Sequence, residues 1–348
     1  MIYKAVKNLE QGQKLGKSIF AEDGRILLNK GVTLTIGMLT KLRSMGVTAV
    51  FIEDGAFDDI VMEEVVSDTT KRQTMKSVAN AVQYIQQDKP INGQEIGGAV
   101  DMIIEEVLGS SDVLYNMTDI RTEDNELFVH LTQVCILSTL IGVQLRISRE
   151  RVKDLAVGAL LHDAGKVIHS GAQRNLPAGY KGDEEELQHH AWKGFNLLRR
   201  SADISTLSAH IALAHHEAVD GSGSPRGMKG DDIHALAKIV AVTNEYDRLV
   251  SGHREETMFP HEACEYIMSR TNSKYDHHIV WQFLRCVAFY PNGTQVRLSD
   301  GRIGVVTGQH KGLPQRPIVR CYESDENASF QEVDLAEATT TFISRVFD

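Results

Sequence analysis

The sequence predicts a mainly α-helical protein, in which a helical core follows a small α+β module and precedes a small β-rich appendage. Three observations predict this arrangement. Between about residues 95 and 288, apolar residues recur at helical spacing almost throughout. Before this stretch, short β-rich runs surround one amphipathic segment. After Phe289–Gly293 (FYPNG), β-rich runs alternate with Asp-Gly and Lys-Gly turns.

The N-terminal α+β module is expected over residues 1–60. The runs 18–21 and 25–28 flank Asp23-Gly24, which predicts a β-hairpin. Residues 33–45 carry apolar side chains at helical spacing and end at a glycine, which predicts a helix with a C-terminal stop. Residues 47–52 are a strand candidate. Nothing in this module indicates chemistry, so we expect a packing or sensory role.

The helical part is divided into a linker and a core domain. Residues 61–94 are polar with acidic and then basic character, and predict a helical linker that breaks at Lys89-Pro90. Residues 95–288 predict the metal-binding helical domain. Its expected helices cover 95–108, 124–147, 149–164, 186–201, 203–216, 231–250, 259–270 and 276–287.

The C-terminal appendage is expected over residues 289–348. Its strand candidates are Thr294–Leu298, Ile303–Thr307, Ile318–Tyr322 and Thr339–Ile343. Such short strands separated by glycine turns are typical of a small sheet or partial barrel.

Composition limits the function classes. The net charge of −10 over 348 residues argues against a binder of nucleic-acid polymers, which needs a basic surface. The four cysteines form no CxxC pair, so neither a zinc knuckle nor a disulfide framework is indicated. No segment of about 20 apolar residues is present to span a membrane. We therefore expect a cytoplasmic protein.

Histidine and carboxylate residues indicate a metal site on the helices. His162-Asp163 follows an apolar run, and adjacent helical residues point about 100° apart, so they can reach two sides of one cluster. Glu126 and His130 are four residues apart and share one helix face. Further imidazoles are offered by His190 and by the pair at residues 215–216. Taken alone, the Glu126 and His130 pair is more simply a surface glutamate beside a core histidine.

The chemistry of this set suits phosphoester hydrolysis. Imidazole and carboxylate ligands without thiolate favour Fe, Mn or Zn. More than four ligands imply two or more ions, which at about 3.5–4 Å apart activate a bridging hydroxide and clamp the attacking and leaving oxygens. Lys166, four residues beyond His162, is placed to neutralise phosphoryl charge. It is equally explained as the end of a helix that Gly165 caps.

Five segments together resemble the HD-GYP family, a branch of the HD-domain metal-dependent phosphohydrolases. They are LLHDAGK at 160–166, H-x-x-x-G at 190–194, HHE at 215–217, DGSGSPRGMKG at 220–230 and IVAVTNEYD at 239–247. They occur in the family's order and cover roughly residues 120–255. The resemblance implies an HD-type helical bundle that hydrolyses cyclic di-GMP to pGpG or GMP with two or three Fe or Mn ions. The N-terminal module resembles those that precede such domains in bacterial proteins.

The resemblance also implies roles for residues. Asp163 is the expected bridging and catalytic carboxylate, and Lys166 the expected phosphate-facing catalytic lysine. The implied metal ligands are Glu126, His130, His162, Asp163, His190, His215, His216 and Asn244. The implied substrate-binding residues are Lys166, Gly223, Ser224, Pro225, Arg226, Lys229 and Arg254.

Two positions depart from the family pattern. Ser224 stands where the Gly-Tyr-Pro motif has its tyrosine, so an aromatic ring that can touch the ligand is missing. Asn244 stands where the family has an aspartate, and its neutral oxygen is expected to weaken one metal site. Downstream, the family's basic pattern is blurred in residues 252–256.

Three functions are consistent with these patterns. The first is a cyclic di-GMP phosphodiesterase with two or three divalent ions, Fe or Mn, with Zn as the alternative. The second is a degenerate protein that binds a nucleotide or serves as a signalling scaffold. The third is an HD phosphohydrolase for another phosphoester. The expected partner is a cyclic dinucleotide, with a homodimer and a signalling partner protein as further possibilities, and no membrane or nucleic-acid polymer.

Overall fold

The computed structural model describes residues 1–55, 57, 60, 63–110, 112–116, 119–168, 189–251, 257–322 and 330–347. These residues contain ten α-helices and nine β-strands. The helices are α1 Ile36–Ser44, α2 Asp68–Gln86, α3 Gly93–Gly109, α4 Glu126–Gln144, α5 Arg149–Leu161, α6 His190–Leu198, α7 Thr206–Ala214, α8 Ala235–Val250, α9 Pro260–Ser269 and α10 His277–Cys286. The strands are β1 Ile2–Ala5, β2 Ile19–Phe20, β3 Ile26–Leu28, β4 Ala49–Ile52, β5 Gln295–Leu298, β6 Ile303–Gly308, β7 Ile318–Tyr322, β8 Phe330–Asp334 and β9 Ile343–Val346.

The N-terminal module consists of two small antiparallel pairs and one helix. Strands β2 and β3 form the hairpin that the Asp-Gly turn predicts, and Gly24 has the left-handed φ of +75° that this turn requires. Strand β1, which sequence patterns did not indicate, pairs with β4 from Ile2 opposite Ile52 to Ala5 opposite Ala49. Helix α1 begins after Thr35, whose side chain caps it. The apolar face of α1 packs against the strands of the module, and together they form a hydrophobic core separate from that of the helical domain.

Helix α4 lies at the centre of the helical domain. Every residue from 128 to 142 is buried, because α2, α3, α5, α8 and α10 all pack against it. By length and composition it could cross a membrane, but 78% of its most apolar window is buried inside the protein. A helix buried in this way is typical of the core of a soluble domain. Helix α5 packs on α4 and α7, and α6 packs on α7.

Close packing brings the end of α5 against the start of α6. The short 3₁₀ turn Ala164–Val167 follows α5 and lies on α6. A Cβ atom on Gly165 would collide with the main-chain carbonyl of His190. Only a residue without a side chain fits there. Gly165 therefore lets the segment that carries His162 and Asp163 pack against the start of α6, which carries His190.

The C-terminal appendage is one antiparallel sheet in the order β8-β7-β6-β5-β9. The strand predicted at Thr339–Ile343 was wrong in its position. Strand β9 begins only at Ile343, because residues before it form turns closed by bonds such as Ala338 N to Asp334 O at 2.8 Å. Strand β8 was missed, since only Val333 of its side chains is buried and its apolar pattern is correspondingly weak.

A buried ion-pair network joins the N-terminal module to α2. The ammonium group of Lys71 lies 2.7 Å from Glu64 and 3.1 Å from Asp119, and that of Lys17 lies 2.5 Å from Glu64. Burial by itself would raise the pKa of Asp119, but the ammonium groups of Lys71 and Lys17 hold it at about 2, below the ordinary 3.8. This network is therefore a pH-dependent part of the fold.

We expect the stabilising contribution of Asp119 to be lost in acid. A carboxyl whose pKa is depressed by folding stabilises fully above 3.8, and its contribution fades as pH falls through about 2. The shift corresponds to about 2 kcal/mol. Urea unfolding of wild type and Asp119→Asn should show a difference in free energy at pH 7 that shrinks steadily below pH 4. The exposed pair Asp101 and Lys153, 2.8 Å apart, provides the control, because Asp101→Asn should show a small difference at every pH. A constant difference for Asp119→Asn would contradict the assignment.

Candidate metal centre

The predicted metal ligands lie where several helices end or cross. His162 and Asp163 follow the last residue of α5, and His190 is the first residue of α6. His215 and His216 follow the last residue of α7. His130 lies one turn into α4, which crosses behind these ends. Segments distant in sequence thus deliver their imidazoles to one place.

The structure places four of these residues in a first group, Asp163, His190, His215 and His216, whose potential ligand atoms all lie within 4.8 Å of one another. The Nε2 atoms of His190 and His215 are 3.3 and 3.6 Å from Asp163 Oδ1. His190 Nε2 is also 3.1 Å from His216 Nε2 and 3.3 Å from His215 Nε2. Four potential ligand atoms this close together could be shared by one divalent cation.

A second group lies on the other side of Asp163. It consists of His130, His162 and the same aspartate. The Nε2 atoms of the two histidines are 3.7 and 3.5 Å from Asp163 Oδ2 and 3.3 Å from each other. All three side chains are buried. Asp163 therefore offers one oxygen to each group, which is the geometry of a carboxylate that bridges two cations.

The residues fit divalent metal ions. Asp163 Oδ1 is buried and makes no hydrogen bond within the described structure, although two imidazole nitrogens face it. A buried carboxylate oxygen without a partner is costly unless a cation satisfies it. The donors are imidazole nitrogen and carboxylate oxygen, which suit Fe, Mn or Zn.

Backbone contacts fix the histidine tautomers. His162 Nδ1 donates to the carbonyl of Ala159 at 2.7 Å, and His215 Nδ1 donates to that of Ala212 at 2.8 Å. Each ring therefore presents the lone pair of Nε2 to the centre. Burial lowers the pKa of His162 to about 3 and also lowers the pKa of His215. Both rings are neutral near pH 7, as metal ligands must be.

A buried chain of charges orients His130. Its Nδ1 donates to Asp247 Oδ2 at 2.6 Å, and Asp247 Oδ1 accepts from Arg121 Nη2 at 2.5 Å. Burial alone would raise the pKa of Asp247, but Arg121 and the hydrogen bond from His130 lower it. The sequence patterns assign no role at the centre to Asp247 or to Arg121. The spacing of Glu126 and His130 indicates only a shared helix face. It cannot indicate that Asp247, 117 residues after His130, is its hydrogen-bond partner.

Lys166 contacts Asp163, the carboxylate that the two groups share. Its Nζ lies 2.5 Å from Asp163 Oδ2, and its side chain is 41% exposed. The helix predicted over 149–164 ends at Leu161, so Lys166 does not follow His162 on one helix face. The chain turns into the tighter 3₁₀ geometry at Ala164, which brings residues three apart together. The ammonium group is therefore at the opening of the centre, between Asp163 and solvent.

Of the two remaining predicted ligands, Glu126 lies outside both groups, and Asn244 lies in a cleft that includes two members of the first group. Glu126 is the first residue of α4, and it is not a member of either cluster. Asn244 on α8 lines a cleft of about 290 Å³ together with His215 and His216. Its Oδ1 is buried without a hydrogen-bond partner among the described residues, so it offers the neutral oxygen that the sequence predicts.

Most of the predicted substrate-binding residues lie in the segment 220–230, which we call the substrate loop. This loop borders the same cleft. Gly223 and Ser224 line it, whereas Arg226 and Lys229 are exposed and, like Pro225, are not part of the lining that the structure describes. A Cβ on Gly223 would collide with the main-chain nitrogen of Ala218. Arg254 lies outside the described residues.

Glu217 is hydrogen-bonded to the substrate loop. We expect substitution of Glu217 to destabilise the protein by weakening these bonds. The buried carboxylate accepts hydrogen bonds from the main-chain nitrogens of Arg226 and Met228, each at 2.8 Å. Glu217→Gln should lower the free energy of unfolding by about 1–3 kcal/mol, because an amide presents one acceptor oxygen where two are used. Urea unfolding measures this. Asp220→Asn, at an exposed position of the same loop, should change it by less than about 0.5 kcal/mol. Equal effects of the two substitutions would refute this role.

Two family models match the chain after residue 113. The HD domain model matches residues 114–279, and the model of the KOW domain associated with HD domain matches residues 295–348.

Three curated relatives are cyclic-dinucleotide phosphodiesterases by name. A cyclic di-GMP phosphodiesterase of Pseudomonas aeruginosa is 31% identical over 70% of this chain and 59% of its own length. One of Thermotoga maritima is 34% identical over 50% of this chain and 48% of its own length. A 3'3'-cGAMP-specific phosphodiesterase of Vibrio cholerae is 35% identical over 40% of this chain and 30% of its own length. The chain thus spans about three fifths or less of the relatives it matches.

Proposed function

We propose that this chain is a member of the HD domain family, whose model matches residues 114–279, and that it is a metal-dependent phosphodiesterase that hydrolyses a cyclic dinucleotide. The observation that carries the proposal is Asp163, whose two oxygens face two separate groups of histidines. An HD domain implies binding of divalent metal, and both groups are suited to hold one ion. The preferred substrate is cyclic di-GMP, because two of the three named relatives act on it.

The protein's own residues provide binding and charge control. Asp163 would hold two ions together, with His190, His215 and His216 on one side and His130 and His162 on the other. Divalent ions bound there supply Lewis acidity and a water activated at neutral pH. Lys166, half-exposed at the opening, neutralises charge on a phosphoryl oxygen. Ser224 and the main chain at Gly223 border the cleft in which the dinucleotide backbone is placed.

The proposed metals are Fe or Mn, with Zn as the alternative. Five imidazoles and one shared carboxylate form a donor set without thiolate, which these ions accept. We propose two ions, one at each group. His130 offers its one lone pair, on Nε2, to the second group and donates from Nδ1 to Asp247, so it has none left for a third ion beside Glu126. The four cysteines are free and buried, which fits a cytoplasmic protein. A homodimer and a signalling partner stay predictions.

A turnover assay tests the proposal. The protein is purified without oxygen, loaded with Fe(II) or Mn(II), and given cyclic di-GMP or 3'3'-cGAMP, and the products are separated by chromatography. We expect linear pGpG or GMP from cyclic di-GMP at a higher kcat/KM than from 3'3'-cGAMP. No product from either substrate, with metal present by elemental analysis, would overturn the enzymatic proposal.

The second candidate is a binding protein that does not turn over, and Asn244 is the observation that favours it. Its neutral, unpartnered oxygen borders the first group, where an anionic ligand would bind metal more strongly. We expect Asn244→Asp to tighten metal binding by about tenfold, a step of about 1.4 kcal/mol. If the natural protein is an enzyme, both wild type and Asn244→Asp should turn over the substrate. Turnover only in Asn244→Asp would identify the natural protein as a binding module. The exposed substitution Asn272→Asp serves as the charge-matched control.

A further inference from the structure

A second cleft, which includes none of the proposed metal ligands, lies where three parts of the chain meet. Its walls come from β1 and β4 of the N-terminal module, from the end of α8 and the start of α9, and from the segments that flank the C-terminal sheet. Its volume of about 820 Å³ is in the range of small-molecule binding sites, roughly 300–1,000 Å³. Such sites occur preferentially between domains.

Aromatic rings form much of the wall. The ring of His261 is close to parallel with those of Phe259, at a centroid distance of 5.9 Å and an angle of 18°, and Tyr290, at 5.0 Å and 30°. The rings of Tyr3 and Phe51, which also line the cleft, have their centroids 5.0 Å apart. Flat rings of this kind stack on the planar bases of nucleotides.

The charge of the lining favours an anion. Lys7 and Arg43 border the cleft, and no aspartate or glutamate is found among the described residues that line it. The whole chain has a net charge of −10, whereas the lining of this cleft has two cations and no carboxylate among the described residues. A phosphate group is attracted to such a site.

The wall also carries an unused polar atom. The Nδ1 of His261 is buried and has no hydrogen-bond partner within the described structure. Buried polar atoms are almost always paired, so an unpaired one at a cleft wall requires an explanation. A polar group of a ligand at the edge of the ring would supply the missing partner after a rotation of the ring.

One helix connects this cleft to the metal centre. Val250, the last residue of α8, lines the cleft. Three residues earlier on α8, Asp247 orients His130, and three residues before that Asn244 borders the first metal group. A shift of the α8 end would therefore move two residues of the metal centre.

We propose that this cleft, named the junction cleft, binds a nucleotide, with the base against the aromatic wall and the phosphate near Arg43, and that α8 transmits its occupancy to the metal centre. Binding does not depend on the proposed phosphodiesterase activity. Only the effect on rate rests on that function.

Binding is tested with N-methylanthraniloyl-GMP, a fluorescent purine nucleotide, by anisotropy on the full metal-free chain. We expect saturable binding that Arg43→Glu weakens at least tenfold and His261→Ala also weakens. Lys41→Glu, exposed on the same helix α1 but outside the cleft lining, should leave it unchanged. Asp163→Ala should leave it unchanged as well, because the junction cleft does not contain that residue. Thermal unfolding checks that each variant is folded.

Three results would overturn the proposal. They are the absence of saturable binding, binding that survives Arg43→Glu, and binding that is lost in Asp163→Ala, which would place the nucleotide in the metal centre. For the effect on rate, unlabelled GMP should change kcat for cyclic di-GMP at least twofold in the metal-loaded wild type and not in Arg43→Glu. Unchanged kcat with confirmed binding would refute transmission through α8. If the protein shows no turnover, the binding test can still be interpreted, because it is made on the metal-free chain and does not measure a rate.

Discussion

Asp163→Ala is expected to abolish turnover and to release metal from both groups at once. This carboxylate is the one residue that both groups share, with Oδ1 facing His190 and His215 and Oδ2 facing His130 and His162. Without it, each group keeps only neutral imidazoles to balance a doubly charged ion. We expect kcat/KM to fall on the order of a thousandfold or more, the scale seen when a preorganised charge-stabilising group is removed. Metal content by elemental analysis should fall from two equivalents to below one.

The matched control for Asp163→Ala is Asp101→Ala on helix α3. Asp101 is also an aspartate on the helical domain, but it pairs at the surface with Lys153, at 2.8 Å. Its replacement should leave both turnover and metal content as in wild type, since exposed pairs contribute little. Asp163→Ala protein that is folded by circular dichroism and keeps two metal equivalents would show that the carboxylate does not bridge the groups.

Asp247→Asn is expected to weaken metal binding at one group only. The carboxylate holds Nδ1 of His130 at 2.6 Å, and an outer residue of this kind typically contributes 10–100-fold, as an order of magnitude, to metal affinity. The group of Asp163, His190, His215 and His216 does not include His130 and should keep its ion. Titration with Mn(II) should show one site weakened about tenfold or more and the other unchanged.

A double substitution separates this effect from general destabilisation. Arg121 is buried beside Asp247, and a buried charge that loses its partner costs roughly 3–5 kcal/mol. Asp247→Asn with Arg121→Met removes the orphaned charge and should recover part of the lost free energy of unfolding. Metal affinity should not recover, because His130 still lacks its carboxylate. If both recover together, the effect of Asp247 on metal binding is only structural.

Local sequence patterns were sufficient for most of the secondary structure. Helix α4 was predicted over 124–147 and found at Glu126–Gln144, because a long apolar run without proline has one stable buried form. The residues with metal chemistry were also recognisable, since a histidine beside an aspartate and paired histidines are rare combinations. The weakest predictions concerned strands such as β8 and β9, whose few buried side chains leave little pattern.

By itself, the sequence determined the helical class, the turns, and the kinds of ligand atoms that the centre has. These properties depend on spacing and side-chain chemistry within about one turn of the chain. The tertiary structure alone decided which oxygen of Asp163 faces which histidines, that Arg121 and Asp247 stand behind His130, and that the junction cleft exists. The physical reason is that each depends on contacts between segments far apart in the chain. Such contacts depend on how whole helices pack against each other, and a local sequence pattern contains no information about that packing.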